Sequence, residues 1–496
     1  MSTNPTKKAP RETTVAISIL KFVPLFVFAG LVIFCEMDLL LAGPIATLVA
    51  IVVCMYVNRS SFDDAFNFAL KAAASIVQVF FILMFAYGVA ECFMATGVGA
   101  VVINIALSAG VTGKTIAVVA LIVTCILSIA TGTSWGTFAA CAPIFFWMNY
   151  IIGGNLILTL GAVAGGSCFG DNIGMISDTT VLSCGMQDIK IIDRVKHQGV
   201  WSILCVAAAI IVTFLMSMSL PGTQADINQA LAAIPEEAYT ALAEERPAAL
   251  ILLEQVQTGV PIYMIIPLLA VIVVAFMGVN TLLALGAGMV SALVLGCAAG
   301  TCTLQAWLED MLLVGFGGAG EWSIVMMCWV AGFGGVMNSM NAFEPLAKLV
   351  VKMSGKVRSL MGWCGVLCLV GNVALADETA QIATISPIVR NIVEENVEGS
   401  EEDMYKLRVR LATFNDALGV YGSELIPWHS FPVFFCAIAN AVYPIGNFTT
   451  LDIARCNIMS MIMVASILIF TFTGLDRFIP MFGLPGEPNV RMKNRK

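Results

Sequence analysis

Runs of about twenty apolar residues follow one another along this chain, and that alone restricts its backbone to helices. The stretches 15–34, 39–57, 73–95, 115–130, 200–220, 261–277, 281–299, 323–340, 359–376 and 457–473 are each of that kind. About twenty apolar residues are what a helix needs to cross the hydrocarbon core of a bilayer. No water is available there, so a spanning segment must satisfy its own peptide groups. A strand barrel is excluded, because apolar and polar residues do not alternate and the apolar runs are too long. Composition agrees: 59% of residues are hydrophobic, 12% are charged, and the mean hydropathy is +0.91.

The apolar runs are interrupted twice by the same polar insert. Residues 169–175 read FGDNIGM and residues 414–420 read FNDALGV, with Phe, Asp and Gly coinciding at an offset of 245 (169 to 414). Upstream, 131–144 read TGTSWGTFAACAPI and 375–388 read LADETAQIATISPI, with the two Pro-Ile pairs at an offset of 244 (143 to 387). Polar breaks at matching places in two hydrophobic halves point to a transport site near the bilayer midplane. The pieces around these motifs are expected to be half-helices or hairpins. The fold expected is an all-α polytopic membrane protein with two inverted-topology repeats. Its parts are an N-terminal two-helix segment 1–59, repeat one 60–200, linking helices 201–303 with an acidic external loop 221–259, repeat two 304–446, and a C-terminal helix with its tail 447–496.

Orientation follows from Lys and Arg in short loops. Lys7, Lys8, Arg11 and Lys21 place the N-terminus inside, Glu36 and Asp38 fall outside, and Arg59 falls inside. Lys190, Arg194 and Lys196 mark an inside loop, as do Lys348, Lys352, Lys356 and Arg358 and the tail residues Arg491, Lys493, Arg495 and Lys496. Segment 221–259 holds six acids and one Arg, so it belongs outside, with a helix expected to start at Pro235. The basic loop 348–358 corresponds at the repeat offset to 104–114, on the opposite side, so the two copies run in opposite directions. Each repeat opens with a short amphipathic segment, 62–71 and 304–313, expected to lie along the membrane interface. The chain is expected in the cell membrane with both termini cytoplasmic.

The formal charge of −8 does not signal an acidic-ligand partner, because the excess acid sits in loops near 226–254 and 394–403. Fifteen cysteines lie singly in apolar sequence without a CxxC pair and read as small buried hydrophobes. The first fourteen residues are polar and no small-residue cleavage site follows the first apolar run, so a retained helix is expected rather than a signal peptide.

The chemistry-bearing residues are those of the breaks. Two glycines in 131–137 loosen the helix there, and Thr133, Ser134 and Thr137 supply hydroxyls for the freed backbone or for a bound solute, beside Trp135. Asp171, Asn172, Asp178 and Thr179 gather carboxylates, an amide and a hydroxyl at the end of an apolar run, and a carboxylate at membrane depth is a functional signal. The second copy adds Asp377, Glu378 and Asp416, then Ser423 and Glu424. Oxygen ligands of this kind suit Na⁺ rather than a transition metal. Asp171, Asn172, Asp178, Thr179, Asp377 and Asp416 are therefore expected to bind cation or proton, with Na⁺ at Asp171, Asn172, Asp377 and Asp416. Thr133, Ser134, Trp135, Thr137, Glu378, Ser423 and Glu424 are expected to face the transported solute. His429 titrates near neutral pH when unperturbed and is a minor proton-site candidate, although a lone His in apolar sequence is more often a packing residue. Capping accounts for Glu321 and Glu344, whereas Glu91 has no such explanation.

Three of these motifs, GTSWGT at 132–137, GDN with SDTT at 170–180, and SELIPW at 423–428, resemble the NhaC-type sodium/proton antiporters. The likeness spans most of 59–473. It implies an inverted-repeat ion transporter exchanging Na⁺ for H⁺ by alternating access, with Na⁺ and H⁺ as coupling ions and no other cofactor. The third motif departs from the family, in which a Thr-Ser-Pro-Leu-Ile-Pro-Trp run is usual, so that Glu424 stands where a proline is expected. The lead-in is altered too, to Asn415-Asp416-Ala417. The family includes carriers of organic acids and amino acids, so coupled transport of such a small solute is the alternative. Partners expected are small inorganic cations, the organic solute on the alternative reading, and the lipid bilayer, with no nucleic acid; association between copies of the chain is left open. An enzyme is not expected. An intramembrane aspartyl protease built on Asp171 and Asp416 would need a shared proton next to a peptide, and no GxGD string occurs. No GxxxxGK[ST] loop for ATP is present either.

Overall fold

The computed structural model describes residues 11, 14–35, 37–74, 76–131, 133–174, 177–222, 243, 247–277, 279–318, 322–341 and 343–493. The chain is an all-α polytopic membrane protein. Among the described residues, six helices are long and apolar enough to cross a membrane, or up to nine if each bent helix pair is one span.

The first apolar runs form α1 (Val15–Ile33) and α2 (Leu39–Asn58). Then come α3 (Phe62–Ala73), α4 (Ile76–Thr96), α5 (Val98–Ser108), α6 (Ile116–Thr131), α7 (Ser134–Ile151), α8 (Leu156–Ser167), α9 (Phe169–Ile173) and α10 (Asp178–Gln187). The long α11 (Ile191–Met216) leads to α12 (Pro247–Thr258), α13 (Ile266–Phe276) and α14 (Thr281–Ala299). A π-turn over Trp307–Leu312 opens α15 (Leu313–Gly318). Next are α16 (Trp322–Ser339), α17 (Glu344–Met353), α18 (Val357–Leu375), α19 (Glu378–Asn396), α20 (Glu401–Ser423), α21 (Ser430–Val442), α22 (Thr450–Cys456) and α23 (Ile458–Thr473). One two-stranded antiparallel ribbon joins β1 (Val397–Gly399) to β2 (Val490–Met492).

The order of helices in 307–442 resembles that in 62–187, with the unbroken α20 standing where α8 and α9 are separate. One helix break is common to both. Thr133 precedes α7 with φ −146° and ψ 130°, and Asp377 precedes α19 with φ −147° and ψ 127°. Each of these helices carries a proline inside it, Pro143 and Pro387, whose ring removes one backbone donor. Asn155 caps α8 by accepting from Leu158 N, and Ser400 caps α20 by accepting from Asp403 N.

The two stretches exchange contacts. α3 packs on α16, and α15 packs on α4. Glycines set the distance of approach in both places: a Cβ at Gly335 would press on Ala72 and Phe68, and one at Gly315 would press on Gly88. The amphipathic openings of the two stretches therefore lie against core helices of the opposite stretch. Likewise α10 packs on α19, and α21 packs on α7.

α11 measures the depth of the bundle. Its 26 residues span roughly 39 Å at the helical rise. At its Ile191 end, Tyr405 Oη receives Lys190 N at 3.0 Å and donates to Asp193 at 2.8 Å. The ribbon and Lys493 N, which donates to Asn396 O at 2.9 Å, belong to the loop leading into α20 and hence to this end. At the Met216 end, Lys114 N donates to Pro221 O at 3.2 Å, and Gly113 is lodged against the Gly153 and Pro221 carbonyls.

Three expectations are corrected. The 414–420 insert is not a break: α20 runs unbroken through Asn415, Asp416 and Gly419 to Ser423. Its side chains find partners on neighbouring helices, so the helix need not unwind. Lys190–Lys196 is not a loop, since α11 starts at Ile191 and takes Arg194 into the protein interior. The second half of segment 221–259 is not a simple external loop either, because α12 buries Leu252, Leu253 and Val256 against α4 and α5. The helix expected at Pro235, Gly132 and Glu321 lie outside the described residues.

Candidate functional site

The break between α6 and α7 frees backbone donors at the start of α7. Thr133 there offers no side-chain cap to its own helix. Asp171 fills that role from α9: its Oδ2 accepts from Ser134 N at 2.9 Å, and its Oδ1 accepts from Ser177 Oγ at 3.2 Å. A buried carboxylate at a helix N-terminus is favoured by the unpaired N–H groups and by the helix dipole. Thr179 and Thr180 donate to the Asp171 carbonyl at 3.4 and 3.1 Å, which draws the start of α10 onto the same point. Thr137 Oγ1 returns a bond to Thr133 O at 2.8 Å, replacing one that the break removes.

The matching break before α19 is wired differently. The start of α19 is capped by its own Asp377, which accepts from Ala380 N at 2.7 Å. Asp416, the counterpart of Asp171, instead forms an ion pair with Arg194 of α11, and neither side chain is exposed. The guanidinium also donates to Thr180 Oγ1 and to the Asn172 carbonyl, each at 2.7 Å. Asn172 turns its side chain to α11, where Gln198 and Ser202 donate to its Oδ1 at 3.0 and 3.1 Å. One oxygen of Asp416 has no hydrogen-bond partner among the described residues.

Glu378, the first residue of α19, is 7% exposed, and its Oε2 has no hydrogen-bond partner among the described residues. Asp171, Asp377, Asp416 and Glu424 all lie within electrostatic range of it. Glu424 follows α20 directly and is fully buried. It accepts from Cys168 Sγ at 3.4 Å and from Asn457 Nδ2 at 3.2 Å. Ser423, also buried, bonds back to Val420 O at 2.5 Å. Trp135 lies 4.9 Å from the Phe431 ring and 4.1 Å from the Phe434 ring, centroid to centroid, on α21.

The structure thus brings Ser134, Asp171, Asn172, Thr179, Asp377, Glu378, Asp416 and Glu424 into one interior region. Thr133 is set beside it, in a crevice with Gly136, Val279 and Thr281. Asp178 is the first residue of α10, and its side chain lies outside the described set. Among the described residues, no group of three or more His, Cys, Asp or Glu is arranged to hold a metal ion. His429 is a packing residue: Phe431 N donates to its Nδ1 at 3.3 Å, and its Nε2 meets Asn372 Oδ1 at 2.9 Å.

Arg194, Gln198 and Asn457 escaped the sequence reading. Arg194 looked like a loop charge beside Lys190 and Lys196. The signal that could have found it is helical spacing, because Arg194, Gln198 and Ser202 recur every four residues ahead of an apolar run.

A polytopic helical bundle with a duplicated helix break and carboxylates buried around it has the architecture of a secondary transporter. Residues 10–185 and 166–474 match the Na+/H+ antiporter family. The chain belongs to that family. An uncharacterized Na(+)/H(+) antiporter of Haemophilus influenzae is 36% identical over 80 residues, covering 16% of this chain and 17% of that protein. The malate-2H(+)/Na(+)-lactate antiporter of Bacillus subtilis is 29% identical over 109 residues, 22% of this chain and 23% of that protein. The Na(+)/H(+) antiporter NhaC of Alkalihalophilus pseudofirmus is 29% identical over 124 residues, 24% and 26%. The aligned stretches thus span about a quarter or less of these relatives' length.

Proposed function

We propose that this protein exchanges Na⁺ for H⁺ across the cell membrane by alternating access. One observation carries the reading: four buried acidic side chains, Asp171, Glu378, Asp416 and Glu424, share one region with the half-buried Asp377, and Arg194 is the one basic group ion-paired to any of them among the described residues. Uncompensated carboxylates inside a membrane are costly, so protons or metal cations must neutralise the excess. A site that must hold either H⁺ or Na⁺, and cannot rest empty, exchanges one for the other. Asp171 is the carboxylate on which the two compete; its neighbours are the start of α7 and the Ser177 and Thr179 hydroxyls. The Arg194–Asp416 pair joins α11 to α20 within the site, so loading at Asp171 is felt by both.

Alternating access rests on inverted repeats, 60–200 and 304–446. The loop between α7 and α8 is by the Met216 end of α11, beside Pro221. Its counterpart between α19 and α20 is by the Ile191 end, with Tyr405 and the C-terminal strand. Equivalent loops at opposite ends of one spanning helix are what inversion requires. The Ile191 end, with the C-terminus, is then the cytoplasmic one. A small organic acid is the second reading, favoured by the malate and lactate named for the Bacillus subtilis relative and by the aromatic wall at Trp135.

The test is a proteoliposome assay with Na⁺ and pH gradients imposed separately. An imposed Na⁺ gradient should drive protons the other way, and Asp171→Asn should stop it in folded protein. Proton movement only when lactate or malate is added would favour the second reading. Unchanged Na⁺-driven proton flux in Asp171→Asn would remove Asp171 from the site.

A further inference from the structure

We infer that Glu424 forms a second proton-binding site, separate from Asp171 and specific for H⁺ over Na⁺; this rests on the exchange reading above. Three interruptions of helices meet there. α20 ends at Ser423, α8 gives way to α9 at Cys168, and α22 and α23 meet at Asn457 with a bend of 58°. The last of these is seated on glycines of α8. A Cβ at Gly161 would strike the Cys456 carbonyl, and one at Gly165 would strike the Asn457 side chain. The place is built by close backbone approach, and Glu424 is the carboxylate put into it.

The charge is uncompensated. Glu424 is fully buried, and no Lys, Arg or His is ion-paired with it among the described residues. The titratable groups that face it are Cys168, Asp171 and Glu378, all acids. A buried carboxylate surrounded by acids must take up a cation.

The neighbours decide which cation. Ser460 N donates to Asn457 Oδ1 at 3.0 Å, so the amide presents its Nδ2 to Glu424. The Cys168 thiol presents its S–H. Both groups on the carboxylate are therefore donors. Na⁺ needs a shell of oxygen acceptors, whereas a proton needs only the carboxylate itself. Glu424 directly follows the helix that carries Asp416, and Cys168 is three residues from Asp171, so proton loading here is coupled to the first site through both elements.

Two measurements test this on the full-length protein with Glu424→Gln, which keeps the shape, and Glu424→Asp, which keeps the acid. Reversal of coupled flux in proteoliposomes gives the H⁺ to Na⁺ ratio. Glu424→Gln should move one proton fewer per Na⁺ than wild type, and Glu424→Asp should keep the wild-type ratio. If Glu424→Gln blocks flux, the protons taken up by purified protein on a pH jump are counted instead, and one fewer is expected. A wild-type ratio in Glu424→Gln, or an unchanged proton count, would overturn the second site. Wild-type protein without Na⁺-driven proton flux would instead defeat the exchange reading, and the proton count would still decide the role of Glu424.

Discussion

Arg194 of α11 and Asp416 of α20 form an ion pair with no exposed surface, between residues 222 apart in sequence. The pair pins the helix that spans the bundle to the helix that carries Asp416 and leads into Glu424. A buried pair is costly to break from one side, because the remaining charge is left alone in a low-dielectric interior.

Arg194→Met should therefore destabilise the protein by about 3–5 kcal/mol, and Asp416→Asn by a similar amount. The double variant should recover much of that loss, since it leaves no lone charge. Thermal unfolding in detergent of the two single variants and the double variant reads the coupling. Additive losses would mean that the pair is not the unit that matters.

Asp171→Asn should lower Na⁺-driven proton flux by more than about tenfold while the melting temperature changes little. Asparagine can still accept from Ser134 N with its amide oxygen and can donate its amide N–H to Ser177 Oγ, so both partners that hold the side chain are kept. Loss of flux together with unfolding would point to a structural role instead.

Gly170 is where α9 touches α6. Gly170 N donates to Ser128 Oγ at 2.7 Å, and a Cβ would run into the Ser128 carbonyl. Gly170→Ala should cost about 1–3 kcal/mol through overpacking. Gly185→Ala, where a Cβ meets nothing within 4 Å, should be neutral or stabilising. Melting temperatures of the two variants make the comparison, and equal shifts would contradict the close approach.

Asn155 and Ser400 occupy matching capping positions in the two proposed repeats. Cysteines introduced at these positions should react with a membrane-impermeant reagent from opposite sides of the membrane, Ser400→Cys from the cytoplasm and Asn155→Cys from outside. Wild-type protein supplies the background from the native cysteines. Labelling of both from one side would rule out inverted repeats.

Much of this was legible in residue order. Apolar length alone limits the backbone to membrane helices, and each apolar run drawn from sequence has a helix in the structure, with ends shifted by a few residues save where α11 begins nine residues early. The two breaks at Thr133 and Asp377 were legible because local chemistry makes them: glycine or an acid stands where an apolar helix would otherwise continue. Asp171 stood out for the same reason, as a carboxylate in apolar surroundings. What sequence alone could not supply was the pairing of polar groups across helices. Only the four-residue spacing to Gln198 and Ser202 distinguishes Arg194 from its loop-like neighbours Lys190 and Lys196, and it does not name a partner; nothing local says that Asn415 and Asp416 sit in an unbroken helix while their counterparts Gly170 and Asp171 sit beside a break. Those outcomes depend on which helix face meets which. Asp416 stays helical because Arg194 arrives from α11, and Glu424 is buried because α8 and the α22–α23 bend close over it. Local patterning determined that polar groups would be inside the membrane; only tertiary packing, by bringing their partners from distant segments, decided what each one holds.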